Sequence, residues 1–366
     1  MPMHLLSRVF LFLLLLISLS ALPAKGWGQP VFYGKAHFLL EGTAVPEQAK
    51  EGFYDRLPVA LKAEVRAPVW ELSKNSAGLS IRFLTNSSSI KVKWKLLLNK
   101  TMNHMAETGI KGLDLYVKLP SNEWQYINTA RPAGIENEFV FVEHMTKELR
   151  EYRIYLPLYD GLERIEAGID SAAVMEKGAP LESKPIVFYG TSITQGGCAS
   201  RPGMAYPSII GRKTGYECIN LGFSANGRME KPIAELISGT DALLYVIDCT
   251  PNMSVSDIRN NMIPLVETIR KKKKTTPVLF VENQLYDKSF LDITLKKELE
   301  EKNRALKQVF DTLVKQKVGA VYYLEAAAAI GTDHEGTVDG VHFTDLGFMR
   351  FADFMIGNFR RLGLLK

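Results

Sequence analysis

Two short segments in the second half of the chain carry the residue types of a serine nucleophile and its base. Ser192 lies in the segment GTSIT at 190–194, directly after an apolar run of strand type, and Asp339 stands three residues before His342. A serine hydroxyl becomes a nucleophile when a histidine accepts its proton, and a carboxylate fixes the tautomer and orientation of that histidine. Because the spacing lets Asp339 turn back onto His342 within one loop, we predict a catalytic triad of Ser192, His342 and Asp339.

Hydrogen-bond donors that an oxyanion requires follow the next two predicted strands. Gly222 lies at the exit of the second apolar run, and Asn252 follows the buried run at 242–248. Acyl transfer needs donors aimed at the oxygen on which negative charge develops. We therefore predict an oxyanion hole made of the backbone N–H groups of Ser192 and Gly222 and the side-chain amide of Asn252. Each residue has a structural alternative, a strand-end turn for Gly222 and a cap of the following helix for Asn252.

In chain order these positions resemble the four sequence blocks of the SGNH hydrolases, the GDSL-like esterase and lipase superfamily. The blocks supply Ser, Gly, Asn and a paired Asp/His; the first reads GTSI here instead of GDSL, and the third reads DCTPN at 248–252. The resemblance spans residues 185–362 and implies a flavodoxin-like three-layer α/β domain that hydrolyses esters without a cofactor. The α/β-hydrolase fold is set aside because its GxSxG elbow needs a second glycine where this chain has Thr194.

A second resemblance lies upstream of these blocks. The segments GLDLY at 112–116 and YLPLYDG at 155–161 are similar to the GxDLY-type β domain that precedes some bacterial SGNH hydrolases. From 30 to 175, short alternating runs separated by turn signals predict an antiparallel β-sandwich. After a polar joint, strands alternate with helical segments such as 292–317, which predicts a parallel sheet with helices on both faces over residues 183–366.

The first 26 residues have the composition of a secretory signal peptide. Arg8 precedes the apolar run 9–17, and small residues follow, so cleavage is expected after Gly26 or Gly28. The run is too short for a membrane-spanning helix, and no cysteine follows it to carry a lipid anchor. We therefore predict a periplasmic or secreted protein with no membrane partner after cleavage. Removing residues 1–26 lowers the net charge from +5 to +3, which is too mild to indicate a nucleic-acid partner.

Four further residues are candidate substrate contacts. Arg201 and Tyr206 follow Ser192 closely and would supply a charged donor and a stacking face, while His334 and Glu335 would line the rim of the pocket. For an exported enzyme we predict a small-molecule or glycan ester as substrate, with acetyl on a carbohydrate as the acyl group. The alternatives are a lipase or acyl-thioesterase of the same superfamily, or a non-catalytic glycan-binding protein that keeps the fold.

The histidines, acids and cysteines of the second half do not indicate a metal cofactor. The cluster DHE at 333–335 lies near the predicted triad, but no i, i+4 pair places two ligands on one helix face. The triad also leaves no step that requires a Lewis acid, so no metal is predicted. Cys198, Cys218 and Cys249 are interpreted as three buried thiols, and a bridge between the first and the last is left open. The sequence gives no indication of the oligomeric state.

Overall fold

The computed structural model describes residues 29–365, and the predicted signal segment 1–26 lies outside the described residues. Within the described range, no helix is both long and apolar enough to cross a membrane. Two antiparallel sheets and one parallel sheet organise this part of the chain.

The residues from 31 to 177 form the two sheets of an antiparallel β-sandwich, as the alternating sequence pattern predicts. The strands are β1 (Val31–Tyr33), β2 (Leu39–Glu41), β3 (Ser80–Thr85), β4 (Ile90–Leu96), β5 (Leu113–Lys118), β6 (Trp124–Ala130), β7 (Glu136–Val142), β8 (Arg150–Tyr155), β9 (Leu162–Ile169) and β10 (Met175–Lys177). One sheet has the order β1-β9-β4-β7, and the other has the order β10-β3-β8-β5-β6, with β2 also paired to β3. On β4, Ile90, Val92 and Trp94 are buried in the core of the sandwich, whereas the lysines between them are partly exposed.

The central strands β3 and β5 of the second sheet are buried on both of their faces. On β5, Leu113 packs into the core between the two sheets. Asp114 and Tyr116, on the opposite face of the strand, contact Arg201 of the second domain. A buried polar group must be paired to be tolerated, so these side chains make the GLDLY segment part of the contact between the domains.

The residues from 186 onward form the predicted parallel sheet with its flanking helices. The strands are β11 (Ile186–Gly190), β12 (Cys218–Gly222), β13 (Leu244–Asp248), β14 (Val278–Val281) and β15 (Val321–Leu324). In the described range the α-helices are α1 (Ala67–Ser73), α2 (Glu107–Lys111), α3 (Ser192–Gln195), α4 (Tyr206–Thr214), α5 (Lys231–Gly239), α6 (Val255–Lys272), α7 (Ile293–Lys315) and α8 (Asp345–Arg361). Helices α4 and α8 cover one face of the sheet, and α5, α6 and α7 cover the other.

The strand order places the ends of three strands at one point. The sheet runs β12-β11-β13-β14-β15, which is the flavodoxin-like order with its switch point beside β11. Gly190 at the end of β11 is in register with Gly222 on one side and with Asp248 on the other. Open α/β sheets bind ligands at the carboxyl ends of their strands, next to such a switch point, so the expected site lies here.

Short elements account for most of the differences from the sequence pattern. Helices α1 and α2 lie in the region expected to hold strands alone. The sequence pattern did not indicate them because helices of one or two turns show no sustained 3.6-residue period. Strand β10 extends into the predicted joint by pairing with β3 at the edge of its sheet. Helix α6 begins at Val255 because Ser254 caps it and Asp257 completes a capping box, so Asn252 does not serve as the cap of this helix.

Candidate active site

The serine lies at the first residue of α3, directly after β11. Thr191 caps this helix by accepting a hydrogen bond from the Ile193 N–H at 3.3 Å, and Thr194 completes the capping box. Ser192 is 7% exposed, and no described residue accepts a hydrogen bond from its N–H group. First-turn N–H groups of a helix lack intrahelical partners and carry the positive end of its dipole, so this N–H is available to a developing anion.

Ser192, His342 and Asp339 are joined by hydrogen bonds. The Ser192 Oγ lies 2.9 Å from His342 Nε2, and His342 Nδ1 lies 2.8 Å from Asp339 Oδ2. Asp339 Oδ1 also accepts hydrogen bonds from the N–H groups of His342 (2.7 Å) and Val341 (3.0 Å). Partial burial opposes ionisation of Asp339, but these hydrogen bonds outweigh it and lower the pKa of the carboxyl. An ionised Asp339 holds the proton of a neutral imidazole on Nδ1, which leaves Nε2 facing the serine as an acceptor.

Gly222 does not offer the predicted backbone donor. Its N–H donates to the Asn220 side-chain oxygen at 2.8 Å, and a Cβ added there would lie 2.2 Å from the Gln195 backbone nitrogen. The expectation that Gly222 supplies an oxyanion donor is therefore corrected: its small size permits close packing of β12 against α3. Three residues later, Ala225 is exposed and has a φ of 59°, and no described residue accepts from its N–H.

The loop that carries Ala225 is held against the start of α3. The N–H of Phe223 donates to the Gly190 oxygen at 3.0 Å, and Gly227 packs so closely on Gly190 that a Cβ would lie 2.1 Å from its oxygen. The Ser224 N–H donates to the Gln195 side chain at 3.0 Å. With its neighbours fixed in this way, the free N–H of Ala225 is placed at the strand exit where the sequence pattern expected Gly222.

Asn252 presents its amide group with one end fixed. Its side-chain oxygen accepts a hydrogen bond from the Gly227 N–H at 3.2 Å, and no described residue accepts from its Nδ2. Asn252 ends a short 3-10 helix, Thr250–Asn252, after β13. Because the oxygen accepts from Gly227, the NH₂ group stays free to donate, as an oxyanion-hole residue must.

A buried carboxyl group lies beneath the serine helix. Asp248 Oδ2 accepts hydrogen bonds from Thr194 Oγ1 at 3.1 Å and from the Tyr206 hydroxyl at 3.0 Å. Burial raises the pKa of Asp248 to about 7, although both hydrogen bonds oppose the rise. From the sequence, Asp248 is recognisable only as the end of a strand, and the sequence does not indicate its contact with Thr194 in the capping box of α3.

Arg56 from the first domain also supports this region. Its guanidinium donates to the backbone oxygens of Asn220 (3.2 Å) and Gly222 (2.7 Å) at the end of β12, and to those of Asn75 (2.8 Å) and Leu72 (2.7 Å) in its own domain. Burial lowers the pKa of Arg56 to about 9. The first domain thus fixes the strand end from which the Ala225 loop departs.

Two of the predicted substrate contacts lie elsewhere. Tyr206 has 0% exposure, and its ring packs against Phe351 with centroids 4.9 Å apart, so the expected stacking face is corrected to a core position. Arg201 pairs with the buried Asp114 at 2.8 Å and lies over the Tyr126 ring at 4.0 Å. These interdomain contacts engage the guanidinium of Arg201, so its predicted role as a charged donor to substrate is corrected to a contact between the domains.

The predicted rim residues are exposed on the loop before α8. His334 Nδ1 lies 3.2 Å from Asp287 Oδ1, and its side chain is 70% exposed; Glu335 is exposed as well. Asp333 forms a two-point ion pair with Arg350 at 2.7 and 2.8 Å. Since Asp333 faces Arg350, the 333–335 cluster does not converge on the triad as a metal site would require.

His104 and Cys198 lie beside the triad, and the sequence pattern gave no indication of the position of His104. The rings of His104 and His342 have centroids 5.5 Å apart, and His104 lies on the loop that follows β4 of the first domain. Burial, with Asp339 beside it, raises the pKa of the Cys198 thiol to about 12, so little thiolate is present at neutral pH. Cys198, Cys218 and Cys249 are all free thiols, with Cys218 only half-buried, so the bridge left open from sequence does not form.

Comparisons with known proteins agree with this architecture. The profile of the GDSL-like lipase/acylhydrolase family matches residues 183–359, and the GxDLY profile, the N-terminus of SGNH-hydrolase-type esterases, matches residues 31–175. A crystal structure from Bacteroides ovatus described as a GDSL-like lipase is 36% identical, with a TM-score of 0.88 over 92% of this chain and 99% of that one. No curated protein matches the sequence.

More distant structures share the fold. The salicylyl-acyltransferase SsfX3 of a tetracycline biosynthetic pathway is 18% identical, with a TM-score of 0.74 over 91% of this chain and 98% of that one. A family two carbohydrate esterase from Clostridium thermocellum is 13% identical, with a TM-score of 0.57 over 79% of this chain and 94% of that one. At these identities the likeness concerns the arrangement of both domains.

Proposed function

Because this chain belongs to the GDSL-like lipase/acylhydrolase family, we propose that it is an exported serine esterase that removes short acyl groups, acetyl first among them, from carbohydrates. The observation that carries the proposal is the hydrogen-bonded series from Ser192 through His342 to Asp339, with distances of 2.9 and 2.8 Å. Those are the contacts that a proton transfer from the serine to an oriented base needs.

The proposed reaction has two halves. Ser192 Oγ forms a bond to the ester carbonyl carbon while its proton passes to His342 Nε2, and the carbonyl electrons move onto the oxygen. The C–O bond to the alcohol then breaks, and the leaving oxygen takes the proton from His342. Water attacks the acyl-serine in the same way with His342 as base, which releases the acid and restores Ser192. Asp339 stabilises the imidazolium that forms in each half.

The oxyanion that forms in both halves needs preorganised donors. We assign this role to the N–H groups of Ser192 and Ala225 and to the Asn252 Nδ2, three donors near α3 for which no described residue is the acceptor. Ala225 replaces Gly222 in this assignment. A backbone N–H from a left-handed residue can point out of the strand exit toward the serine, and the fixed neighbours of Ala225 limit its reorientation during the reaction.

Two features support a polar, carbohydrate-like alcohol group. The signal-like segment 1–26 favours export, where polysaccharides are met. His104 of the first domain adds a polar wall beside His342, and its Nδ1 is engaged by the Asn103 side-chain oxygen at 2.9 Å. The Nε2 of His104 is then an acceptor suited to a sugar hydroxyl.

The proposal is tested by comparing two serine substitutions. Purified protein should release p-nitrophenol from p-nitrophenyl acetate and acetate from acetylated xylan, and Ser192→Ala should abolish both. Ser256→Ala, at an exposed position of α6, is the matched control and should retain both activities. Wild-type turnover in Ser192→Ala would refute the assignment of the nucleophile; folded protein that binds glycan but hydrolyses no ester would favour the non-catalytic alternative.

A second candidate, hydrolysis of esters with longer apolar acyl groups, is favoured by one surface feature. Phe290, Leu291 and Ile293 are 83%, 82% and 79% exposed, and Phe290 borders a cavity of about 400 Å³. The Asp287 N–H just before them donates to the Gly340 oxygen at 3.1 Å, which ties this segment to the loop of the triad.

A chain-length series separates the two candidates. A preference for p-nitrophenyl esters of eight carbons or longer, with no acetate from any glycan, would identify a lipase. In that case Phe290→Ser should lower kcat/KM for the long esters, whereas Leu149→Ser, an exposed apolar residue of the first domain, should not. If acetyl esters are preferred, both substitutions should leave the preference unchanged.

A further inference from the structure

Three side chains from separate segments place metal-binding atoms together at the triad. His104, Cys198 and His342 each offer one ligand atom, and these atoms lie within 4.8 Å of one another. His104 comes from the loop after β4, Cys198 from the turn after α3, and His342 from the loop before α8. The set therefore joins both domains, and it differs from the 333–335 cluster, in which the sequence predicts no metal site.

The two histidines are oriented in the way that metal-binding histidines require. His104 Nδ1 is engaged by the Asn103 oxygen at 2.9 Å, and His342 Nδ1 by Asp339 Oδ2 at 2.8 Å. Ligating histidines almost always donate their other ring N–H to a carboxylate, carbonyl or water, which fixes the tautomer and leaves one nitrogen for the metal. In both rings that nitrogen is Nε2.

The chemistry of the set selects zinc over harder cations. Two imidazoles and a thiolate are borderline to soft ligands, whereas magnesium and calcium prefer oxygen. Zinc–nitrogen and zinc–sulfur bonds of about 2.0–2.3 Å in a tetrahedron put ligand atoms about 3.3–3.8 Å apart. The ligand atoms lie at most 4.8 Å apart, so this geometry requires side-chain rotations that bring them closer by up to about 1–1.5 Å. Three protein ligands leave the fourth position to water or to the adjacent Ser192 Oγ.

We propose that His104, Cys198 and His342 form a zinc-binding site that blocks catalysis when it is occupied. On binding, the Cys198 thiol loses its proton to solvent and a zinc–sulfur bond forms, with no change of oxidation state. The imidazole of His342 is then coordinated and can no longer accept the proton of Ser192. The bound ion is an inhibitor, so the site is compatible with an esterase reaction that uses no metal.

Cobalt(II) provides a direct probe of the site because it takes the place of zinc and absorbs light. Titration of the Ser192→Ala variant with cobalt(II) should produce a near-ultraviolet thiolate-to-cobalt charge-transfer band that saturates at one equivalent and disappears on addition of zinc. Cys198→Ser in the same background should abolish the band, whereas Cys218→Ser, a half-buried thiol at the far end of β12, should retain it. His104→Gln should weaken cobalt binding by about tenfold or more, because the loss of a residue that only hydrogen-bonds to a metal ligand already lowers metal affinity about 10–100-fold.

Inhibition gives a second, independent measurement. Zinc at micromolar concentration should inhibit hydrolysis of p-nitrophenyl acetate by the wild-type protein, and millimolar magnesium should not. Absence of the cobalt band in Ser192→Ala, or the same band in Cys198→Ser, would overturn the proposal. Circular dichroism identifies variants that fail to fold. If Cys198→Ser does not fold, the cobalt affinity of His104→Gln, a substitution at a half-exposed position, decides the outcome. The cobalt band does not require esterase activity, so failure of the proposed function and failure of the zinc site give different results.

Discussion

Replacement of Asp339 by asparagine tests the proposed role of the triad with little change of shape. Asp339 Oδ1 accepts two backbone hydrogen bonds, from Val341 and His342, and an asparagine oxygen can retain both. Its NH₂ group would then occupy the position of Oδ2, 2.8 Å from His342 Nδ1. Two donors cannot face each other, so Nδ1 must become the acceptor and the proton moves to Nε2. At 2.9 Å from the Ser192 Oγ, a protonated Nε2 cannot accept the serine proton.

The expected loss follows from the wrong tautomer. In serine hydrolases with this arrangement such a substitution lowers kcat about 10⁴-fold, which corresponds to about 5.5 kcal/mol of activation free energy. The measurement is kcat and KM for p-nitrophenyl acetate at neutral pH, together with the free energy of unfolding. KM should change little because the binding surface is preserved.

Asp333→Asn is the matched control, since this aspartate lies on the same loop and pairs with Arg350 away from the serine. It should change kcat by less than about twofold, and any effect should appear in stability, where exposed ion pairs contribute about 1 kcal/mol or less. Retention of more than a tenth of wild-type kcat by a correctly folded Asp339→Asn variant would refute the tautomer argument.

Three other substitutions test separate parts of the structure. Asn252→Ala should lower kcat about 10²–10³-fold, or roughly 3–4 kcal/mol, with little change in KM; a rise in KM alone would make Asn252 a ground-state contact. The pKa of Asp248 is raised to about 7, so the folded protein binds this proton more tightly than the unfolded chain does. Wild-type stability should therefore fall by up to about 4 kcal/mol between about pH 4 and pH 7. In denaturant titrations at pH 5 and pH 8, the free energy of unfolding of Asp248→Asn should fall less between the two pH values than that of the wild type. An equal fall in both proteins would contradict the assignment. Arg201→Met should destabilise the protein by about 3–5 kcal/mol, because it leaves Asp114 buried without its cation; unchanged stability with a raised KM would instead identify Arg201 as a substrate contact.

The fold and the hydrogen-bonded triad could be anticipated from local patterns. Ser192 follows a strand of five apolar or small residues, and Asp339 and His342 are close enough in sequence for one loop to bring them together. Alternating runs such as β4, and the strand-helix alternation after residue 186, likewise depend on neighbouring residues. Each of these features is encoded within one short segment, so the sequence predicts it well.

Contacts between distant segments could not be anticipated in the same way. Gly222 looks like a donor in the sequence, but its N–H is bound by the Asn220 side chain. An alanine gives no indication of a left-handed backbone, which Ala225 nevertheless adopts. Arg201 follows the serine closely in sequence, yet its partner Asp114 comes from the other domain. His104 reaches His342 only because the loop after β4 crosses the domain boundary.

The buried guanidinium of Arg56 has a consequence for how this enzyme can vary. It has backbone oxygens as its partners in the described structure, two from each domain, so no complementary change of a single acidic side chain can compensate for its loss. A catalytic half separated at the joint would expose the oxygens of Asn220 and Gly222 to water and lose the support of the strand end beneath the Ala225 loop. The two domains therefore depend on each other through Arg56 and cannot be exchanged independently. Recombination of this hydrolase half with a foreign β domain should give an active protein only where the incoming domain brings an equivalent arginine.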